Sequence, residues 1–122
     1  MSRPWSEIVA FYREFRKGGH DNPALVGLEA LAAHIAAGPL RTALHGWTSM
    51  TTLLVTQTDH NPVTEGSPHL RIAVLSSGQL EFRYVDTVVD DRQWRREVPP
   101  EAAVARLDQF LDQLRWVARY SN

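Results

Sequence analysis

LRIAVLSSGQLEFRYVDTVVDDRQWRREV, residues 70–98, is the stretch whose reading decides the architecture of this chain. Leu70, Ile72 and Val74 fall on one side of an extended backbone, and after Ser76-Ser77-Gly78 the alternation resumes with Leu80, Phe82 and Tyr84. A period of two marks strands with one buried face. Ser-Ser-Gly suits a three-residue hairpin loop with glycine in the left-handed conformation. That register sets Val74 opposite Leu80, Ile72 opposite Phe82 and Leu70 opposite Tyr84. Trp94 and Val98 carry the apolar face past Asp90-Asp91, where aspartates at a turn need no catalytic explanation.

The flanking segments have helical periodicity. Ser2 is placed to cap a helix starting near Pro4, with Trp5, Ile8, Tyr12 and Phe15 at helical spacing, Phe11 widening the stripe and Gly18-Gly19 ending it. Asn22 as cap, Pro23 at the first helical position and Gly38-Pro39 as the stop mark a second helix, with Leu25, Leu28, Leu31, Ala32 and Ile35 as its main face. Its other side, Val26, Ala30, Ala33 and Ala37, is also apolar, so the helix is expected to be sandwiched between the first helix and the sheet, or to pair with a second copy. Leu40–Leu44 and Thr48–Gln57 read as strands, and Thr58–Pro68 as a polar loop. After Pro99-Pro100-Glu101 a last helix buries Val104, Leu107, Leu111, Leu114 and Ala118, flanked by Ala103, Phe110 and Val117. The expected fold is α+β: two N-terminal helices, an antiparallel meander of four to five strands and a C-terminal helix, all helices on one sheet face.

With 122 residues, 43% hydrophobic and 22% charged, the chain suits one globular domain with a real core. A net charge of -1 gives no electrostatic case for nucleic acid. No cysteine is present, which excludes disulfides and thiolate chemistry and fits a reducing compartment. The N-terminus lacks a secretory pattern, and no stretch reaches the roughly 18 apolar residues of a membrane span. A soluble cytoplasmic protein without membrane contact is therefore expected. Twelve of the thirteen basic residues are arginine, and there are four tryptophans; both residue types are enriched at interface hot spots.

The candidate sites follow from these patterns. His60, His69, Asp59 and Glu65 carry metal-ligating groups around the long loop, but without the tight spacing of a ligand pair, so neither a metal nor a cofactor is expected. His34 and His45 have no acid or nucleophile beside them in sequence. Alternation puts Arg96 between Trp94 and Val98 on the apolar face, where a charge needs a partner, and Asp86 on the same face is the nearest acid. On the opposite face Arg71 lies across from Arg83, with Arg95 nearby and Glu97 placed to intervene. Trp116 projects from the polar side of the last helix, away from the core stripe.

No assembled catalytic group emerges, whereas tryptophan and arginine occupy faces the core does not require. The expected function is non-enzymatic: an interaction domain using Trp116, Arg71, Arg83 and Arg95 toward a protein partner, as a monomer or as a homodimer through helix 23–37. In size and layout it resembles many small bacterial proteins, among them immunity proteins that neutralise a cognate toxin; the resemblance implies an immunity-like or adaptor role at the level of fold analogy. The alternative is a small-molecule-binding protein or small enzyme. Its pocket would lie between helices and sheet, lined by Trp5, Tyr12, Tyr84 and Trp94 and anchored by Arg96, with Asp86 beside it, or by His45.

Overall fold

A computed structural model describes residues 2–19, 22–59, 68–86 and 90–116. Helix α1 spans Trp5–Lys17 and α2 spans Pro23–Ala37. A single turn, α3 (Leu40–Ala43), leads into β1 (His45–Ser49) and β2 (Thr52–Thr56). Strands β3 (His69–Val74), β4 (Leu80–Val85) and β5 (Trp94–Val98) complete an antiparallel meander in the order β1-β2-β3-β4-β5. A 3-10 turn at Pro100–Ala102 then feeds α4 (Ala103–Leu114). The class is α+β, as the alternation implies.

The hairpin is as expected from its sequence. Val74 pairs with Leu80, Ile72 with Phe82 and Leu70 with Tyr84, while Gly78 takes a φ of 89° at the loop. The inward residues Leu53, Val55, Leu70, Ile72, Leu80, Phe82 and Val98 are fully buried against Ile8 and Tyr12 of α1, Leu28, Leu31 and Ile35 of α2, and Leu107 and Leu111 of α4. Phe82 and Phe110 stand 5.2 Å apart at the centre. Helix α1 approaches β1 so closely that a Cβ on Gly46 would lie 2.5 Å from Ile8 Cδ1 and 2.8 Å from Trp5 Cη2. Only glycine fits there.

Helix α2 begins and ends where its signals lie: Asn22 Oδ1 accepts the Ala24 N–H at 2.9 Å, and Gly38 terminates it. It packs between α1 and α4, joined to the first by Arg13 and Arg16 on Glu29 (3.2 and 2.8 Å) and to the second by His34 on Asp108 (3.2 Å). The sandwich expected from its all-round apolarity is incomplete, since Val26, Ala30, Ala33 and Ala37 stay exposed. Alanine favours helix intrinsically and exposes little apolar area, so the three alanines need no cover; Val26 is left as an exposed apolar side chain.

The first strands differ from the expectation. Leu40–Leu44 is a helical turn, because Leu40 and Leu44, four residues apart, both point into the core and the Leu44 N–H closes on the Leu40 carbonyl at 2.9 Å. Thr48–Gln57 is not one strand: it holds the end of β1 and all of β2, folded at Met50-Thr51, where Met50 takes a φ of 54° and is almost fully exposed. The Tyr12 hydroxyl donates to the Thr51 carbonyl (3.1 Å) and ties that turn to α1. Ser2 does not cap α1; the helix starts after Pro4, and the Ser2 N–H donates to Asp59 instead. The last helix stops at Leu114, since Arg115 adopts a left-handed φ of 59° and the Trp116 N–H returns to the Leu111 carbonyl. Val117 and Ala118 lie outside the described residues.

Candidate functional site

The pairing brings three arginines into one line. Across the sheet run Trp47, Leu54, Arg71, Arg83 and Arg95, each opposite the next. Trp47 and Leu54 are buried, with the Trp47 indole N–H donating to Thr56 Oγ1. From β3 onward the rung is basic and opens to solvent, with Arg71 half-buried and Arg83 and Arg95 exposed. The helices pack on the other face, so no core contact dictates arginine here.

Like charges directly opposite on a sheet repel by a few tenths of a kcal/mol or more. The expected remedy, Glu97 between the arginines, is not what the register provides: Glu97 faces Glu81, one rung away. Glu81 engages Arg95 at 3.5 Å, long for a charge-assisted bond. Arg71 and Arg83 make no ion pair or hydrogen bond among the described residues. Two neighbouring guanidiniums are thus left with donors that no described residue engages.

Arg96 departs from its expected role. It pairs across the strand with Phe82 on the inner face, but β5 is the last strand and the guanidinium reaches solvent over its edge. It lies over the Trp94 ring (5.6 Å) and donates to the Arg95 carbonyl (2.8 Å), and it forms no ion pair among the described residues. A charge that escapes burial needs no buried acid. Asp86 is buried elsewhere: it accepts the Tyr84 hydroxyl at 3.3 Å, and its own N–H donates to Gln93 Oε1 at 3.2 Å. Burial first, and the Asp86 charge next, push the Tyr84 phenol above its ordinary pKa.

Trp116 does not project from the polar face of the last helix, which ends before it. The left-handed Arg115 turns it back over the core, edge-on to Tyr84 at 6.0 Å, and its carbonyl accepts Gln57 Nε2. With Trp94 against Tyr84 (6.0 Å) and Phe110 (4.7 Å), it completes an aromatic cluster under the β5 side of the sheet. Arg106 on α4 closes that cluster from outside, its guanidinium 4.8 Å from the Phe110 ring and its buried Nε without a hydrogen-bond partner. Reading the sequence missed Arg106. The available signal was an arginine on the flank of the core stripe with no carboxylate three or four residues away to pair it.

The pocket expected between helices and sheet is divided in the structure. Tyr12 and Tyr84 are buried within the packing. Trp5 and His45 instead line a separate cleft of about 460 Å³ with Ser2, Arg3, Arg41 and Leu44. At its rim the Ser2 hydroxyl sits 3.4 Å from His45 Nδ1, and Asp59 accepts the Ser2 N–H at 2.6 Å. That hydrogen bond from the Ser2 backbone, more than any other contact, holds the Asp59 carboxyl below its usual pKa. Because Asp59 engages the serine amide and not the imidazole, the three do not form a proton relay.

Of the metal-ligating residues, His60 and Glu65 lie outside the described residues. His69 is not a solvated loop histidine but the buried first residue of β3. Among the described residues, no three histidine or carboxylate groups converge to hold a metal, and no helix is long and apolar enough to cross a membrane. Compared with known proteins, the chain matches no family model, no curated protein and no solved structure.

Proposed function

We propose that this protein is a non-enzymatic interaction domain, of the adaptor or immunity kind, that binds an acidic surface of a partner protein on the open face of β3, β4 and β5. The observation that supports this reading is the rung Arg71, Arg83 and Arg95, three guanidiniums in register with one carboxylate at 3.5 Å among them. Arginine's planar donor fork suits bidentate capture of carboxylates. Spacing on adjacent strands, about 5 Å, matches acidic side chains presented together on a partner.

Binding of a fluorescein-labelled oligoglutamate peptide, followed by anisotropy, tests the reading. Wild type should bind with steep salt dependence, and the double variant Arg71→Gln/Arg83→Gln should lose about tenfold or more in affinity with an unchanged melting curve. Equal binding by wild type and variant would overturn the assignment of this face. Tighter binding of an oligonucleotide than of the peptide would overturn the choice of a protein partner.

A second reading, supported by the cleft at Trp5 and His45, is a small-molecule site. Its volume is within the range of ligand pockets, and Arg3, Arg41 and His45 supply polar anchors beside the apolar Trp5 and Leu44. Small aromatic carboxylates are the matching probes. Ligand-observed NMR should show their binding to wild type and its loss in His45→Ala; no signal with wild type would remove this reading.

A further inference from the structure

We infer that β5 is a receiving edge, to which an extended acidic segment of the partner adds as a sixth strand. This rests on the interaction reading above and names the form the partner takes.

The two edges of the sheet differ. At β1, Arg3 is already in place: its N–H donates to the Gly46 carbonyl at 3.0 Å in an antiparallel bridge, and its guanidinium donates to Thr48 Oγ1 at 2.7 Å. At β5 no further strand is paired among the described residues. Every other residue of an edge strand turns its backbone N–H and C=O outward; at β5 the Arg96 guanidinium holds the Arg95 carbonyl at 2.8 Å and would swing aside onto a carboxylate as an added strand takes its place.

Charge selects what that strand carries. Arg95 belongs to the outer rung and Arg96 to the inner face, so β5 presents a guanidinium on each side of the sheet. Arg106 adds another on the inner side, linked to Arg96 by a continuous stack. Arg96 lies over Trp94, Trp94 packs 4.7 Å from Phe110, and Phe110 is covered by Arg106. Neither Arg96 nor Arg106 has a carboxylate partner among the described residues, and the buried Arg106 Nε makes no hydrogen bond. In an added strand, successive side chains alternate between faces. Consecutive acidic residues would then meet Arg95 on one side and Arg96 with Arg106 on the other. A compact acidic patch on a folded surface reaches the outer rung alone. Charged edges also discourage aggregation, but that role is filled by any exposed charge and accounts for neither the unpartnered Nε nor arginine on both faces.

The test uses the oligoglutamate peptide beside a twin N-methylated at every backbone nitrogen, which keeps every carboxylate and blocks strand hydrogen bonding along both of its edges. Expected results are at least about tenfold weaker binding of the twin, slowed amide exchange confined to β5 on binding the unmodified peptide, and weakened binding in Arg96→Gln and Arg106→Gln. Arg96 is exposed, so its variant keeps the fold; a melting curve checks the other. If both peptides bind alike and Arg96→Gln is silent, strand addition is overturned while the outer-face reading stands. If backbone methylation matters but Arg71→Gln/Arg83→Gln does not, the edge stands and the outer rung falls. Absence of binding to wild type at low salt overturns both.

Discussion

The two faces of this sheet are built on neighbouring rungs and obey different rules. On the inner face Thr48, Leu53, Ile72, Phe82 and Arg96 lie side by side; one residue along, Trp47, Leu54, Arg71, Arg83 and Arg95 do the same on the outer face. Burial dictates the inner rung, where Leu53, Ile72 and Phe82 are inaccessible to solvent. From β3 onward nothing in the packing dictates the outer one. Both rungs nevertheless end in arginine at β5. The packing of the inner rung does not require arginine at that end.

The comparison is broken most directly by removing the centre of the inner face. Phe82→Ala should cost about 3–5 kcal/mol of stability, the range for truncating a fully buried phenylalanine; chemical denaturation reads it, and a loss under about 1 kcal/mol would show the rung is not core. Gly46→Ala comes next. Its methyl would collide with Ile8 and Trp5, and overpacking of this kind costs about 1–3 kcal/mol. A crystal structure of the variant should show α1 displaced from β1.

Smaller effects belong to the charges. Burial raises the Glu29 pKa, but hydrogen bonds and attraction from Arg16 and Arg13 outweigh it, and the net shift is downward. A depressed folded-state pKa means stability that is present above the unfolded value of about 4.3 and lost as pH falls through the folded value. Glu29→Gln should therefore cost about 0.5–1 kcal/mol at neutral pH, and the difference from wild type should vanish in acid. The outer rung predicts the smallest change, of opposite sign. Arg83→Gln relieves repulsion from Arg71 and Arg95 and should leave stability equal or raised by a few tenths of a kcal/mol, even as it weakens peptide binding.

What could be read from the sequence follows the strength of local signals. The β3–β4 register followed from strict alternation plus one glycine, and α2 from Asn22, Pro23 and Gly38. The errors cluster where a backbone turn lacks its usual residue. Met50 and Arg115 adopt positive φ without being glycine or asparagine, so the β1–β2 hairpin and the end of α4 carried no mark, and Trp116 was placed on the wrong side. Leu40–Leu44 is too short for periodicity to separate helix from strand. At the candidate site, Arg71 opposite Arg83 was legible from the register alone. The stack that runs from Arg96 through Trp94 and Phe110 to Arg106 was not, because it depends on where α4 crosses the sheet.

The bridge from Arg3 to Gly46 has one more consequence. Strand-by-strand growth into a fibre needs two complementary ends, since each unit must accept a neighbour on one side and offer itself on the other. Here one end is already stapled by the chain's own N-terminal segment. If a segment adds at β5, the bridge at Gly46 leaves the opposite edge less open to a second one, which favours a complex of limited size over a growing fibre.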